Sequence, residues 1–248
     1  MELDVLPDAN AACRRASAYI AERARAGATE RGAFTLGLSG GHSGTALVEA
    51  LAAEAIPWAQ VHVLQVDERL APDGNPARNL TAIEEILYAH TPIEPAQVHA
   101  MAVNAPDPDA AAARYAEELA ALTGTPPALD LVHLGLGADG HTASLVPGDA
   151  ALAVRDRDVV LTAPYQGRRR MTLTYPALNR AHDILWLVTG EAKAEALALL
   201  CAGDQTIPAG RVRRDRAHIF ADTGAASRLD PATADAQHLR IRMSDGSG

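Results

Sequence analysis

Cysteine is scarce in this chain. Only Cys13 and Cys201 occur in 248 residues, with no partner at metal spacing, so neither a zinc site nor a disulfide framework is expected, and a reducing compartment is. Long apolar runs are missing as well: none approaches the roughly 20 residues that a membrane span needs. The opening MELDVLPDAN has no basic or apolar leader region, so a cytoplasmic protein without a membrane partner is expected. Positive charge is in deficit, with 22 Lys and Arg against 31 Asp and Glu and a net charge of -9, which repels nucleic acid. An anionic substrate must therefore meet a local cationic focus. Repeats and domain linkers are absent too, and 48% hydrophobic composition is enough for residues 1–248 to form a single domain.

What is present is an alternation of strand-length apolar runs with Ala-rich stretches of helical period, the pattern of an α/β protein with a mostly parallel sheet and helices on both faces. FTLGL, VHVLQV, LDLVHLGLG, DVVLTAP, DILWLVTG and AHIFAD are the expected strands. AACRRASAYIAERARA, TALVEALAAEA, DAAAARYAEELAALTG and KAEALALLCAG are the expected helices, the third capped by Asp109 and stopped at Gly124. The tail, from about residue 240 to 248, is expected to fray. Four chemically unusual segments follow strands: SGG, DER, GADGH and GEAK. Since ligands bind outside the carboxyl ends of strands in open parallel sheets, all four are expected to converge on one site.

Two familiar motifs lack their context. GLSGG, Gly37 to Gly41, fits G-x-S-x-G, but it follows the first expected strand, whereas a nucleophile elbow requires earlier strands that supply an oxyanion loop of the HGGG type, and no such loop is expected before it. Gly40 and Gly41 instead let amides at a helix N-terminus approach an anion, with the Ser39 hydroxyl as a further donor. GLGADG, Gly135 to Gly140, fits G-x-G-x-x-G, yet Pro147 and Gly148 follow where a helix should run, so no dinucleotide cofactor is expected.

Asp139 and His141 stand two residues apart on a Gly-flanked loop, where a histidine can serve as base and then acid, while the carboxylate either orients it or closes an Asx turn. His133, inside a strand, is expected to be structural. Asp67, Glu68 and Arg69 either place a guanidinium for phosphate or oxyanion or form a surface ion-pair cluster. Lys193 falls in the first turn of a helix, where a cation is disfavoured unless an anion is bound or Glu191 pairs with it. Arg168, Arg169 and Arg170 precede a β-prone run and are either the cationic focus or a solvated charge run, the commoner meaning of such a triplet. Glycine-rich backbone and cations around a histidine describe a small phosphorylated substrate and acid-base chemistry.

The blocks LSGG, VDERLAP, LGLGADGHTASLVPG, RMTLTYPALN and WLVTGEAKA, spread from Phe34 to Asp222, resemble the 6-phosphogluconolactonases and their relatives, the glucosamine-6-phosphate deaminase/isomerases. The resemblance implies a Rossmann-like fold, hydrolysis of 6-phospho-D-glucono-1,5-lactone in the pentose phosphate pathway, no metal or cofactor, and no covalent enzyme intermediate. It carries the family's histidine onto His141 and its arginine onto Arg170. The isomerases have a glutamate five positions after the histidine; here Val146 stands there and cannot transfer a proton. A lactonase is therefore expected, ahead of an isomerase or a non-catalytic sugar-phosphate sensor. Its catalytic pair would be His141 and Asp139, with substrate held by Ser39, Gly40, Gly41, Asp67, Arg69, Arg170 and Lys193. The chain departs from the family at LSGGHSG, where LSGGSTP is usual, at Arg78 in place of a serine, and at PYQGRRR in place of a Pro-rich approach to the arginine.

Overall fold

The structure is a computed structural model that describes residues 1–229 and 239–243. Its strands are β1 (Glu2–Leu6), β2 (Phe34–Leu38), β3 (Val61–Gln65), β4 (Asp67–Arg69), β5 (Val98–His99), β6 (Leu131–Leu134), β7 (Val159–Leu161), β8 (Arg170–Leu173), β9 (Asp183–Val188), β10 (Ala217–Asp222) and β11 (Arg240–Met243). The α-helices are α1 (Ala9–Arg31), α2 (His42–Ala52), α3 (Asn79–His90), α4 (Pro108–Thr123), α5 (Tyr175–Arg180) and α6 (Ala194–Ala202). None is long and apolar enough to cross a membrane among the described residues.

Eight strands form one parallel sheet in the order β11-β1-β10-β9-β6-β2-β3-β5, the Rossmann-like arrangement expected from the sequence. Alternation along β9 shows how the sheet buries both faces: Ile184, Trp186 and Val188 pack with α4, α5 and α6, while Leu185 and Leu187 pack with α1, α2 and α3. Each of these side chains stabilises the fold by roughly 1.5–3 kcal/mol on leaving water. From β2 the chain runs outward through β3 to β5, then returns to the other side of β2 as β6 and continues through β9 to β10. The topological switch point thus falls between β2 and β6, and the crevice opens beyond their carboxyl ends.

Four local expectations are corrected. DVVLTAP does not join the large sheet; β7 lies in a second, antiparallel sheet of order β4-β8-β7. FTLGL is not the first strand, because β1 precedes it and lies between β10 and β11; DER follows β3 as expected and forms β4, paired across to β8 with Arg69 opposite Arg170. The cap of α4 is Asp107, whose side chain accepts from the Ala110 amide, because Pro108 occupies the first helical position and shifts the start two residues upstream of Asp109. Residues 240–243 of the tail are ordered as β11, since β1 offers an unpaired parallel edge; residues 244–248 lie outside the described residues.

Candidate active site

The turn that carries Asp139 and His141 follows β6. The Gly137 amide donates to the His141 carbonyl at 2.8 Å and the Gly140 amide to the Gly137 carbonyl at 3.0 Å, folding the loop back on itself. A Cβ on Gly137 would lie 2.0 Å from His141 Nδ1, so only glycine lets the imidazole sit against this turn. Asp139 Oδ1 accepts from His141 Nδ1 at 2.6 Å and from the His141 amide at 3.2 Å. Burial works against the Asp139 carboxylate, but the hydrogen bonds and charge of His141, with the hydroxyl of Tyr165, outweigh it and hold its pKa below the ordinary value. The contact with Asp139 engages Nδ1 and leaves Nε2 as the other ring nitrogen.

Around this pair the small sheet supplies cations. Arg170, 5% exposed, stacks its guanidinium over the Tyr165 ring at 5.0 Å and donates to Gln166 Oε1 at 3.2 Å. Its Nε is buried with no partner among the described residues. Burial lowers the Arg170 pKa, against the opposing charges of Asp67 and Asp139. Asp67 is buried beneath, accepts from Ser144 Oγ at 2.5 Å, and has its pKa raised chiefly by burial. Ser144 belongs to the loop of His141, so Asp67 ties that loop to β4.

A second arm follows β2. A Cβ on Gly40 would lie 1.9 Å from Asn79 Oδ1, a clash that only glycine avoids. Asn79 Nδ2 donates to the Asp67 carbonyl at 2.9 Å, and its Oδ1 accepts from Arg69 Nη1 at 3.0 Å. Gly41, with no side chain to cap α2, leaves the first helix amides open toward a cavity of ≈ 190 Å³ lined by Ser39, Gly40, Gly41, Arg69 and Asn79. Ser39 Oγ is buried without a partner among the described residues. Ser39 is not at positive φ, unlike Ala143 and Gln166, so the strained turn of a serine elbow is absent there.

These contacts form two groups, His141, Asp139 and Arg170 around Tyr165, and Ser39, Gly40, Gly41, Arg69 and Asn79 around the cavity, with Asp67 linking them through Ser144 and Asn79. Lys193 is less closely held: it ends a short 3-10 turn, Glu191–Lys193, immediately before α6 rather than within it. No ion pair joins it to Glu191 among the described residues. Its turn is brought near α2 by the contact of Thr189 Oγ1 with Ser43 Oγ at 2.9 Å. The surface ion-pair alternative for DER is overturned. Glu68 is fully buried and accepts from the amides of Arg69, Asn79 and Leu80, while Arg78, itself 3% exposed, lies against it at 3.5 Å. His133 is buried as expected, and Val146 is core. Tyr165, Gln166, Asn79 and Ser144 were not legible as site residues; only the unusual PYQGRRR hinted at the first two.

The family model described as glucosamine-6-phosphate isomerases/6-phosphogluconolactonase matches residues 7–221. The 6-phosphogluconolactonase of Synechocystis is 38% identical over 205 residues, 81% of this chain and 85% of that one. That of Mycobacterium bovis is 35% identical over 241 residues, 92% of this chain and 98% of its own. The crystal structure of 6-phosphogluconolactonase from Thermotoga maritima superposes with a TM-score of 0.79 at 27% identity, covering 90% of this chain and 99% of that one.

Proposed function

This chain belongs to the glucosamine-6-phosphate isomerase/6-phosphogluconolactonase family and is a lactone hydrolase of its 6-phosphogluconolactonase branch, and from that premise we propose how its residues divide the work. The substrate is 6-phospho-D-glucono-1,5-lactone. His141 Nε2 takes a proton from water as the water oxygen attacks C1; the C1–ring-oxygen bond then breaks and the imidazolium returns the proton to the departing oxygen. Asp139, fixed on Nδ1, sets the tautomer and stabilises the imidazolium. The developing oxyanion is met by the open amides of α2 beside Gly40 and Gly41, with Ser39 and Arg69, and Asp67 holds this framework together through Ser144 and Asn79. Arg170 and Lys193 hold the 6-phosphate, which positions the lactone over the base. Lys193 is the sole lysine of the sequence.

The observation that carries this division is the 2.6 Å contact between His141 Nδ1 and Asp139 on a turn that only glycine at 137 allows. An isomerase assignment finds no support at Val146, which is buried and has no proton to give.

The test is lactone hydrolysis at slightly acidic pH, with spontaneous opening subtracted, for wild type, His141→Ala and Ser39→Ala. Wild type is expected to exceed the blank, His141→Ala to lose roughly 10²–10⁴-fold, and Ser39→Ala to keep substantial turnover. A Ser39→Ala loss as deep as that of His141→Ala would return the serine to the role of nucleophile.

A further inference from the structure

Tyr165 belongs to the segment that departs from the family pattern, and the structure gives it two contacts at once. Its hydroxyl donates to Asp139 Oδ2 at 2.9 Å, and its ring carries the Arg170 guanidinium at 5.0 Å from the centroid. The ring edge also meets the His141 imidazole, with centroids 5.5 Å apart and planes at 63°. The backbone that presents it is a two-residue hairpin turn. Tyr165 and Arg168 exchange amide hydrogen bonds of 2.9 and 3.3 Å across Gln166 (φ 52°) and Gly167 (φ 80°). Gln166 accepts the left-handed conformation although it has a Cβ, and its Oε1 takes a hydrogen from Arg170. Strain of this kind persists where surrounding contacts over-determine it.

We propose that Tyr165 is a positioning residue that joins the acid-base pair to the phosphate-binding cation. Asp139 has two oxygens. One is committed to His141, and its side chain remains 39% exposed. Without a partner on Oδ2 the carboxylate is free to rotate about its terminal torsion, and the imidazole rotates with it. The Tyr165 hydroxyl fixes that torsion, and the aromatic face fixes Arg170 against the same ring. A single side chain therefore sets the distance between the site that holds the phosphate and the nitrogen that activates water. The proposal rests on the assignment of His141 as base.

The two contacts are separable by substitution. Tyr165→Phe keeps the ring and removes the hydroxyl; Tyr165→Leu removes both. Steady-state hydrolysis, calorimetric binding of 6-phosphogluconate, and the downfield proton signal of His141 Nδ1–H would be measured for both variants, with His141→Ala to identify the signal and give the baseline. Tyr165→Phe is expected to lower kcat roughly tenfold, the loss of one charge-assisted hydrogen bond, while KM stays within about twofold. The downfield signal should broaden or move upfield. Tyr165→Leu should show the same fall in kcat and, in addition, a rise in KM and in the 6-phosphogluconate Kd of roughly threefold from the lost cation–π contact. If Tyr165→Phe keeps wild-type kcat and an unchanged downfield signal while His141→Ala sits at the blank, the proposal fails and the base assignment stands. Turnover retained by His141→Ala would overturn the base assignment and the proposal with it.

Discussion

At the scale of single residues, the molecule holds its histidines in two opposite ways. His141 stands in a polar turn with a carboxylate on one nitrogen, whereas His133 on β6 is fully buried and neither ring nitrogen has a partner among the described residues. Burial alone pushes the His133 pKa down to about 4, because no nearby group stabilises its charged form. The unfolded chain, with an ordinary value near 6.5, binds a proton that the native state refuses between those limits. Stability should therefore be complete at neutral pH and fall as pH drops through that window, with a loss of about 2 kcal/mol between pH 7.5 and 5. His133→Leu, close in volume and without a titrating group, should lack this component. Urea titrations of both proteins at the two pH values would give the difference; parallel losses in wild type and variant would mean that His133 is not the group responsible.

Among the elements, α3 shows why part of the site was hidden in the sequence. Its N-cap residue is Arg78, which provides no side-chain cap, so the local start signal of Ser, Thr, Asp or Asn is missing. The cap comes instead from Glu68 on β4, which accepts from the Asn79 and Leu80 amides at 2.8 and 2.9 Å. A helix that begins on a carboxylate 11 residues upstream cannot be found by local pattern. By contrast α4 carries its signals locally, in Asp107, Pro108 and Gly124, so its span is readable from the sequence to within two residues at its start. The same distinction holds within the site. Ser39, Gly40, Gly41 and His141 follow long apolar strands and were legible from position alone; Asn79 and Tyr165 act through contacts that no spacing encodes. Glu68→Ala should leave the α3 amides and the Arg78 guanidinium without their buried anion, destabilising the fold by about 3–5 kcal/mol. Glu68→Gln, which keeps the shape and one acceptor, should lose less. Equal urea midpoints for wild type and Glu68→Ala would show that the carboxylate does not hold this helix. Because α3 carries Asn79, and Asn79 holds Arg69 and Asp67, part of the activity should fall with it.

For the molecule as a whole, the parallel sheet separates chemistry from closure. The described site residues lie beyond the carboxyl ends of β2, β3, β6 and β9 or on the small sheet above them, while among the described residues β11 pairs with β1 alone, at the far edge. The alternation of apolar runs and helical stretches was enough to foresee the sheet. It could not reveal β11, whose four residues are all exposed and carry no burial pattern. What β11 supplies is backbone pairing: it covers the outer edge of β1 and places Arg240 and Arg242 3.8 and 3.3 Å from Glu2. Such exposed ion pairs are worth little by themselves. The larger effect of β11 is to occupy donors and acceptors of β1 that would otherwise template association with another chain. A protein that ends at Leu239 should therefore keep wild-type kcat and KM. It should lose about 1–2 kcal/mol of stability in denaturant titration, and light scattering should detect self-association at concentrations where the full chain shows none. A truncated protein that stays folded and unassociated but loses turnover would mean that this edge reaches the site, contrary to the separation that the sheet order implies.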